Sequence, residues 1–537
     1  MKRLEHFYLQ KKWTMSKCSI LTLLLFLFSQ GVYAQKEAYN WYFGRHVGMT
    51  WNTTQTISNG GKTLTNMPTP LSPSAMSWQL EGVFCMSDHE GELLFYSDGM
   101  YVWNKNHQLF SNGSGLLGHW SSAQSGTVIP YPGEYGKFIA LSMPLNITDV
   151  VITPLDQSIT VLGNRLGYSV IDMTALGGMG AVTVKNVLLT GAMGVLGESV
   201  AAVRKTNDNG YWIIAVGKGN GANSSLNVWE VTSSGVQTAC IASYPLPQNT
   251  NGTVTAIANG YLRFSVDGKY FAWPEYTGTG NALFFGEFDP ATGTFPTIKV
   301  MNTGYRGYGV EFNHSGKILY AGSWEQGNTN LYAYKFEDLL ASPNPGTVSR
   351  RTVATGIAGG TSSLQALQLG PDGRIYSPVG GTTSMLVIDD INDYDNFTTH
   401  VVNGLLPTGS ANYMAVSGLP NFMAHYFVPL QAGSIAGNQT VCSGSAVTTL
   451  TSTAVASGGD GTYTYRWQLS TDGVSWYDIT GSAGSGVTYS PGVLTATTHY
   501  RRNASGTYEG TPATATSNVV TVTVTPNASP SMMIITD

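Results

Sequence analysis

A small polar turn that ends in glycine recurs along this chain, each time between two runs of apolar or aromatic residues. The clearest copies lie at residues 87–91, 207–210, 265–268, 313–316 and 370–373, with a weaker copy at 132–136. Asp-Gly and Asn-Gly turns between β-prone runs predict tight hairpins, because glycine adopts the positive φ that such turns need. Most copies follow one another at roughly 50 to 60 residues, which is the period of β-propeller blades. We therefore predict an all-β fold with a β-propeller over residues 36–429.

The length of this region indicates the number of blades. About 390 residues divided into blades of roughly 55 residues give seven, in the manner of WD-repeat proteins. Six hairpins are visible, and we predict that the first strand, residues 39–44, and the last, residues 422–428, together form the seventh blade. Such closure joins the chain ends and removes exposed sheet edges. Residues 52–80 and 336–351 are predicted to be surface loops because they are rich in Thr, Ser, Pro and Asn or are broken by prolines.

The composition agrees with a turn-rich β protein. Only 11% of the residues are charged, and 64 of the 537 are glycine. A net charge of −5 with 27 thinly spread Lys and Arg residues gives no basic stripe, so we predict no nucleic-acid partner.

A second domain is predicted at residues 433–526, where Thr, Ser and Val alternate in about seven short runs around Trp467. This pattern is typical of an immunoglobulin-like β-sandwich with a buried tryptophan. Residues 470–476 are similar to an Asp-box, which predicts a hairpin turn. The tail, residues 527–537, is predicted to be disordered.

The N-terminus has the organisation of a secretory signal peptide at residues 1–34. Lysines precede an apolar run, and small residues end at Ala34. The run is too short to span a bilayer comfortably, so we expect no transmembrane segment after cleavage. The expected location is secreted or at the cell surface, outside the outer membrane, with the periplasm as the other destination. Three cysteines then remain, an odd number that excludes a fully paired disulfide framework; we expect Cys85 and Cys240 to be buried thiols.

An ordered series of motifs runs through the propeller region: NWYFG at residues 40–44, EGVFCMSDHEGELLFYSDGMYVWNKNH at 81–107, and later segments at 121–130, 308–320, 367–376 and 418–422 (GLPNF). This series resembles exported β-propeller proteins of the Bacteroidetes. Residues 433–526 resemble the Ig-like or PKD-like repeats that follow their propellers. The resemblance implies a surface or secreted protein, often exported by the type IX route and in some cases associated with gliding or adhesion. It supplies no catalytic motif.

Four polar residues stand at the starts of the predicted innermost strands: Glu81, Gln124, Glu198 and Gln365. In this register they lie near one mouth of the central channel. One interpretation is a polar ring that binds a glycan or peptide. The other is hydrogen bonding between blades, because buried polar groups must be paired. Glu81 and Glu198 could also form an acid/base pair for glycoside hydrolysis, if their carboxyl groups lie about 5–10 Å apart.

Aromatic residues in or beside predicted loops supply a further set of binding candidates, since flat rings are good platforms for sugars and peptides. Packing within and between blades is the other interpretation. The set comprises Trp103, His119, Trp120, Tyr276, Tyr305, Tyr308 and Trp324.

No cofactor is predicted. The sequence contains no H-x-x-H, H-E-x-x-H, C-x-x-C or G-x-S-x-G motif. The densest acidic cluster is Asp389, Asp390, Asp393 and Asp395, which could bind Ca²⁺ through oxygen ligands or form a solvated loop.

Three functions remain open from the sequence. The first is a non-enzymatic exported or cell-surface protein whose propeller loops bind an unidentified glycan or protein, as in adhesion. The second is a carbohydrate-active enzyme that uses Glu81 and Glu198. The third is a structural surface-layer or stalk component without a specific ligand.

Overall fold

The structure is a computed structural model that describes residues 36–88, 90–145, 166–206, 210–218, 224–248, 259–275, 281–325, 328–357, 365–427, 430, 432–456, 463–508 and 511–527. The chain is nearly all-β. Helical turns within these ranges are short: Ala175–Gly178, Phe336–Ala341, Pro345–Thr347, Ala424–Phe427 and Ser482–Ser485. The described residues form two compact units, the N-terminal unit (residues 36–430) and the C-terminal unit (residues 432–455 and 463–527).

The N-terminal unit consists of consecutive groups of antiparallel strands. The first group has three strands, and each later group is built around a four-stranded meander in chain order. The groups are β1 (Asn40–Phe43), β2 (Val47–Asn59) and β3 (Lys62–Pro70); β4 (Phe84–Ser87), β5 (Leu93–Ser97), β6 (Tyr101–Asn104) and β7 (Leu109–Ser114); β8 (Gly126–Pro130), β9 (Lys137–Ser142), β10 (Gly167–Asp172) and β11 (Ala181–Leu188); β12 (Val195–Arg204), β13 (Tyr211–Lys218), β14 (Ser225–Thr232), β15 (Gly235–Val236) and β16 (Ala242–Pro245); β17 (Arg263–Phe264), β18 (Tyr270–Pro274), β19 (Ala282–Asp289) and β20 (Thr294–Asn302); β21 (Arg306–Phe312), β22 (Ile318–Glu325), β23 (Asn328–Lys335) and β24 (Arg351–Ile357); and β25 (Gln368–Leu369), β26 (Ile375–Pro378), β27 (Met385–Asp389) and β28 (Thr398–Val402).

The recurring turns are hairpins, as predicted. Each of the six joins the first and second strands of a group, and these strands pair in antiparallel fashion. In five of the turns the closing glycine has a positive φ, namely Gly91 (+92°), Gly136 (+72°), Gly268 (+73°), Gly316 (+69°) and Gly373 (+81°). The turn at 207–209 lies outside the described residues.

Two predicted loops are wrong. Residues 52–70 are not a loop, because β2 and β3 form a long hairpin around Gly60 and Gly61. Threonine is β-branched and suits a strand, so a Thr-rich polar segment can form a hairpin with two exposed faces. Residues 336–351 begin with the short helix Phe336–Ala341, whose Phe336 and Leu339 are buried.

Apolar side chains fill the space between neighbouring groups. One core cluster combines residues of β12–β14 with residues of β17–β20, including Trp212, Trp273 and Phe284. A second cluster extends from β18 and β19 to β21–β23 and the helix at Phe336. Each group therefore buries its faces against its neighbours, so no single group carries a complete core of its own.

A closed circuit of contacts connects the residues at or just before the first strands of the groups. Gly309 completes it by packing against the backbone of Gln365 and Ala366, where a Cβ would not fit. The hydrogen bonds of the circuit run from Gly82 N–H to Ser122 O (3.0 Å), Gln124 N–H to Glu198 O (3.0 Å), Ser199 Oγ to Gly260 O (2.6 Å), Tyr261 N–H to Tyr308 O (2.9 Å), Ala366 N–H to Ser417 O (2.8 Å) and Ser417 N–H to Leu80 O (2.8 Å). The circuit returns to its starting segment, so these segments form a ring.

The ring closes through different residues from those predicted. Residues 424–427 form a short 3₁₀ helix where a strand was expected, and Val428 lies outside the described residues. Arg45 and Met414 instead exchange backbone hydrogen bonds of 2.9 and 3.2 Å, and the ring of Phe422 packs against Trp41 at 6.1 Å between centroids. Pro420 in this closing segment forms a parallel bridge with Val83.

The C-terminal unit has two sheets. Its core contains Trp467, Tyr500, Val520 and Val522, with Trp467 fully buried and its indole N–H bonded to Gly486 O at 2.8 Å. The strands are β29 (Ser434–Ala436), β30 (Gln439–Cys442), β31 (Thr451–Ala454), β32 (Tyr463–Ser470), β33 (Tyr477–Asp478), β34 (Thr498–Tyr508), β35 (Thr511–Thr516) and β36 (Val520–Thr525). Strand β29 pairs with β31, and the others form a second sheet with β34 at its centre.

Candidate functional site

Asn421 lies buried at the centre of the ring and bonds to four strand groups. It follows Pro420 in the segment that closes the ring. Asn421 donates three hydrogen bonds: its backbone N–H to Val83 O (2.8 Å), and its Nδ2 to Gly126 O (3.0 Å) and to Val200 O (2.9 Å). It accepts three more: its backbone O from Thr127 Oγ1 (2.9 Å), and its Oδ1 from Gln124 Nε2 (2.9 Å) and Arg263 Nη1 (3.0 Å). This single residue therefore blocks the axis of the ring and connects its inner strands.

Gln124 is fully buried beside Asn421. Its Oε1 accepts the N–H groups of Val200 (3.2 Å) and Leu262 (2.9 Å), and its Nε2 donates to Leu262 O (3.3 Å) as well as to Asn421. The amide is satisfied on both sides by the protein itself. Of the two interpretations of Gln124, this geometry agrees with hydrogen bonding between strand groups.

Arg263 extends the axial network to two further groups. Its Nη2 donates to Leu367 O (3.1 Å), and its Nε lies 3.6 Å from a carboxylate oxygen of Glu311. Glu311 is buried and accepts the backbone N–H groups of Phe312 (3.0 Å) and Leu369 (3.1 Å). Burial raises the pKa of Glu311, while the charge of Arg263 and these hydrogen bonds oppose that shift. A buried charge pair of this kind holds a geometry more than it adds stability.

Glu81, Glu198 and Tyr308 meet at one end of the axis, which we call the mouth. Glu198 is buried and accepts the N–H of Ala123 at 3.0 Å, while Glu81 is half-buried and hydrogen-bonded to Tyr308. Burial, and then the nearby charge of Glu198, raise the pKa of Glu81 well above its usual value. Two close carboxyl groups in a dry site cannot both ionise readily, so Glu81 keeps its proton to higher pH than an exposed glutamate.

Tyr261 closes the axis between the mouth and Asn421. Its hydroxyl accepts the N–H of Leu419 at 3.2 Å and donates to the carbonyl of the same residue at 3.4 Å. Its ring packs edge-on against Tyr308 at 5.6 Å. Beyond Asn421 the axis holds a narrow pocket whose lining includes Phe264, Val266, Leu369 and Phe427. The mouth is therefore separated from the far end of the ring.

Gln365 also lies in the ring, buried next to the inner strands. Its Oε1 accepts the hydroxyl of Ser377 at 3.3 Å, and its backbone carbonyl touches Gly309. Unlike Gln124, its side chain bonds within its own strand group, and only its backbone meets a neighbouring group. The sequence thus placed four polar residues correctly at the starts of inner strands, but only Glu81 among them is partly open to solvent.

The predicted aromatic set divides into three. Tyr305, Tyr308 and His119 are buried, so they are not exposed platforms; burial also lowers the pKa of His119 to about 4. Trp103 and Trp120 are half-buried, and Trp103 stacks on Tyr96 at 5.4 Å. Tyr276 and the side chain of Trp324 lie outside the described residues.

Trp78 and Arg45 were missed by the sequence reasoning. The Trp78 side chain is 59% exposed, and the Arg45 guanidinium lies over its ring at 4.9 Å. Trp78 stands three residues before Glu81, in the segment predicted to be a loop. An isolated tryptophan in that polar stretch was the available signal, because flat aromatic rings are good platforms for sugars and peptides.

The acidic cluster does not converge on one point. Asp389 accepts Arg374 Nε (3.1 Å) and lies 3.5 Å from Lys62 Nζ, and Asp395 accepts Arg351 Nη1 (2.7 Å). Lys62 also lies 3.9 Å from Asp390, and Asp393 accepts the N–H groups of Asp395 and Asn396 within its own turn. Within the described ranges, no three His, Cys, Asp or Glu side chains are grouped so that they could hold a metal ion.

Two comparisons concern sequence. Residues 431–526 match a family model described as a domain of unknown function (DUF8696). No curated protein matches the chain. In the part of the chain that the structure covers, no helix is long and apolar enough to cross a membrane.

Solved structures give distant similarities. The periplasmic gluconolactonase PpgL of Pseudomonas aeruginosa is 11% identical, with a TM-score of 0.34, over 60% of this chain and 82% of that one. A protein from Lactobacillus plantarum is 12% identical, with a TM-score of 0.38, over 67% and 93%. The hydrazine synthase of Kuenenia stuttgartiensis is 12% identical, with a TM-score of 0.36, over 74% and 100%. Similarities this low support no argument about fold or activity.

Proposed function

We propose that this chain is a non-enzymatic exported binding protein of the cell surface or the secreted fraction, which uses the mouth of its N-terminal unit to recognise a glycan or protein ligand. In this proposal the N-terminal unit is a seven-bladed propeller, with β1–β3 and residues 414–422 as its seventh blade. The C-terminal unit is an Ig-like sandwich that acts as a spacer. The signal-like sequence at residues 1–34 and the resemblance to exported Bacteroidetes propellers support export and a role in adhesion.

One observation carries the functional part of the proposal. The axis below the mouth is filled by hydrogen bonds of the protein itself, from Tyr261 with Leu419 to Asn421 with Gln124 and Arg263. These polar groups serve assembly of the ring, so they are not available to a ligand. The half-buried Glu81 and the exposed Trp78 remain accessible at the same end, where a ligand would meet them.

A glycan array and an array of extracellular-matrix proteins test this function. We expect the mature protein to bind a defined subset of spots, and the variant Trp78→Ala to lose most of that signal. Absence of binding on both arrays would instead favour the structural stalk.

A carbohydrate-active enzyme is the second candidate, favoured by one specific observation. Glu81 has a raised pKa beside the buried Glu198, and a general acid must keep its proton near neutral pH. Hydrolysis of any glycoside by the wild-type protein, lost in Glu81→Gln while the melting temperature is retained, would establish this candidate and reject the non-enzymatic one.

A further inference from the structure

The mouth combines an aromatic platform with polar groups over a short distance. Trp78 and Glu81 are three residues apart, so their Cα atoms lie within about 11 Å of each other. The backbone carbonyl of Trp120 accepts the N–H groups of both Leu80 (3.2 Å) and Glu81 (3.3 Å), which places the half-buried Trp120 directly beside them.

Trp78 has the properties of a stacking platform. Arg45 covers part of the indole, yet the side chain remains largely exposed. The Arg45 backbone is held by its two hydrogen bonds with Met414, and its guanidinium lies over the Trp78 ring. An exposed indole beside a fixed guanidinium offers an apolar face for the C–H groups of a sugar and N–H donors for its hydroxyls.

The charges at the mouth favour an uncharged ligand. Arg45 contributes a positive charge, while Glu81 and Glu198 contribute carboxyl groups that share the dry end of the axis with the Tyr308 hydroxyl. Neither sign dominates, and hydrogen-bond donors and acceptors stand side by side. A hydroxyl group both donates and accepts, so a polyol satisfies such a surface better than an ammonium or a carboxylate does.

The depth of the mouth limits how a glycan can enter. Tyr261 and Leu419 close the axis directly below Glu81, and Asn421 blocks it further along. A polysaccharide cannot pass through the ring, so the mouth accommodates a single sugar residue or the end of a chain.

We infer that the mouth formed by Arg45, Trp78, Glu81 and Trp120 is a binding site for one neutral sugar residue, stacked on Trp78 and hydrogen-bonded by Glu81. The inference rests on the proposed function and gives its ligand a chemical class and a position. The Glu81 carboxyl contacts the sugar, whereas Glu198 and Tyr308 act through Glu81 by holding its orientation and proton.

The test uses the mature full chain and a panel of methyl glycosides of glucose, galactose, mannose and N-acetylglucosamine. Glucosamine and glucuronate serve as the cationic and anionic counterparts. Binding is measured by saturation-transfer NMR and by tryptophan fluorescence. We expect at least one neutral glycoside to bind more tightly than both charged sugars, with affinity reduced at least tenfold in Trp78→Ala and in Glu81→Gln.

Tyr135→Ala is the matched control, because Tyr135 is 92% exposed in the hairpin turn at the far end of β8. This variant should bind as the wild type does. Tighter binding of a charged sugar, binding only of long oligosaccharides, or unchanged affinity in Trp78→Ala would overturn the inference. If the wild type binds on a glycan or matrix-protein array and Trp78→Ala binds equally well, this site is rejected but the proposed binding function is retained. If no binding is detected on any array or to any sugar of the panel, both the site and the proposed binding function are rejected.

Discussion

The two units of this protein differ in the kind of interaction that stabilises the interior of each. In the C-terminal unit the centre is apolar, with Trp467 packed among Tyr500, Val520 and Val522. In the N-terminal unit the centre of the ring is polar, with Asn421 hydrogen-bonded to four strand groups, while apolar cores lie between the groups. A ring of small sheets leaves its inner strands facing a common axis, and the polar groups there must be paired. A two-sheet unit has no such axis and can fill its centre with hydrocarbon.

The largest effect is expected for Asn421→Ala. The change removes one hydrogen-bond partner from the buried Gln124 amide, from the Arg263 guanidinium and from the carbonyls of Gly126 and Val200, and a buried polar atom that loses its partner costs about 1–3 kcal/mol. We expect the melting transition of the N-terminal unit in calorimetry to fall sharply or disappear. Asn518→Ala is the control, because the Asn518 side chain is exposed and bonds to the backbone of Ile435 in the C-terminal unit. Equal shifts in melting temperature for the two variants would contradict the conclusion that the Asn421 hydrogen bonds stabilise the ring.

The next largest effect is expected for Trp467→Ala in the other unit. Removing a fully buried tryptophan costs about 3–5 kcal/mol through lost burial and a residual cavity. Amide hydrogen exchange should report the loss of protection in β32, β34 and β36, with the N-terminal unit unchanged. Parallel loss of protection in β12 or β21 would show that the two units do not unfold independently.

The units are also expected to differ in the sign of their pH dependence. The pKa of Glu81 is raised by burial and by Glu198, so its contribution favours folding at low pH and is lost as pH rises through the folded-state pKa. The pKa of Asp472 is lowered by the N–H groups of Ser475 and Val474, so its contribution is present near neutral pH and is lost on acidification.

Two variants measure these contributions. Glu81→Gln should remove part of the decline in stability of the N-terminal unit as the pH rises above the ordinary glutamate pKa, because the pKa of Glu81 is raised in the folded state. Asp472→Asn should reduce the loss of stability that the C-terminal unit undergoes on acidification. Stability is followed by urea unfolding at each pH. A Glu81→Gln profile parallel to that of the wild type would mean that this carboxyl titrates normally.

The smallest effect is expected at the cysteines. Cys442 is exposed on β30, whereas Cys85 is buried on β4 and its pKa is raised by burial to about 12. A thiol-specific dye should label the wild type rapidly, and Cys442→Ser should remove most of the fast phase with a stability change below about 0.5 kcal/mol. Cys85→Ser should leave the fast phase unchanged; rapid labelling at Cys85 in the native protein would show that the group β4–β7 opens.

Local patterns predicted the repeating hairpins because tight turns depend on neighbouring residues alone. The positive φ of Gly268 and Gly316 follows directly from the turn sequences around them. The same reasoning located Glu81, Gln124 and Glu198 at the starts of inner strands. It failed at residues 52–70 and 424–427, where strand or turn formation depends on partners far along the chain.

The partners of the polar residues were not available from the sequence. Gln124 bonds to Asn421, 297 positions further along the chain, and to Leu262, 138 positions further along. The sequence around these three residues contains no pattern that predicts the contacts. Trp78 and Arg45 form a stacked pair across 33 positions of the chain, and Met414, which pairs with the Arg45 backbone, comes from much further along. Only the tertiary structure could distinguish an exposed Trp78 from the buried Tyr305 and Tyr308.

The sequence by itself therefore determined the β class, the hairpin repeats and the residues placed at the inner strand starts, since these follow from turn chemistry and from the alternation of side chains along a strand. The tertiary structure decided which polar side chains are hydrogen-bonded inside the ring and which are exposed to solvent at the mouth. The physical reason is that a buried polar group must find a partner, and in a closed ring that partner comes from whichever segment the closure brings to the axis.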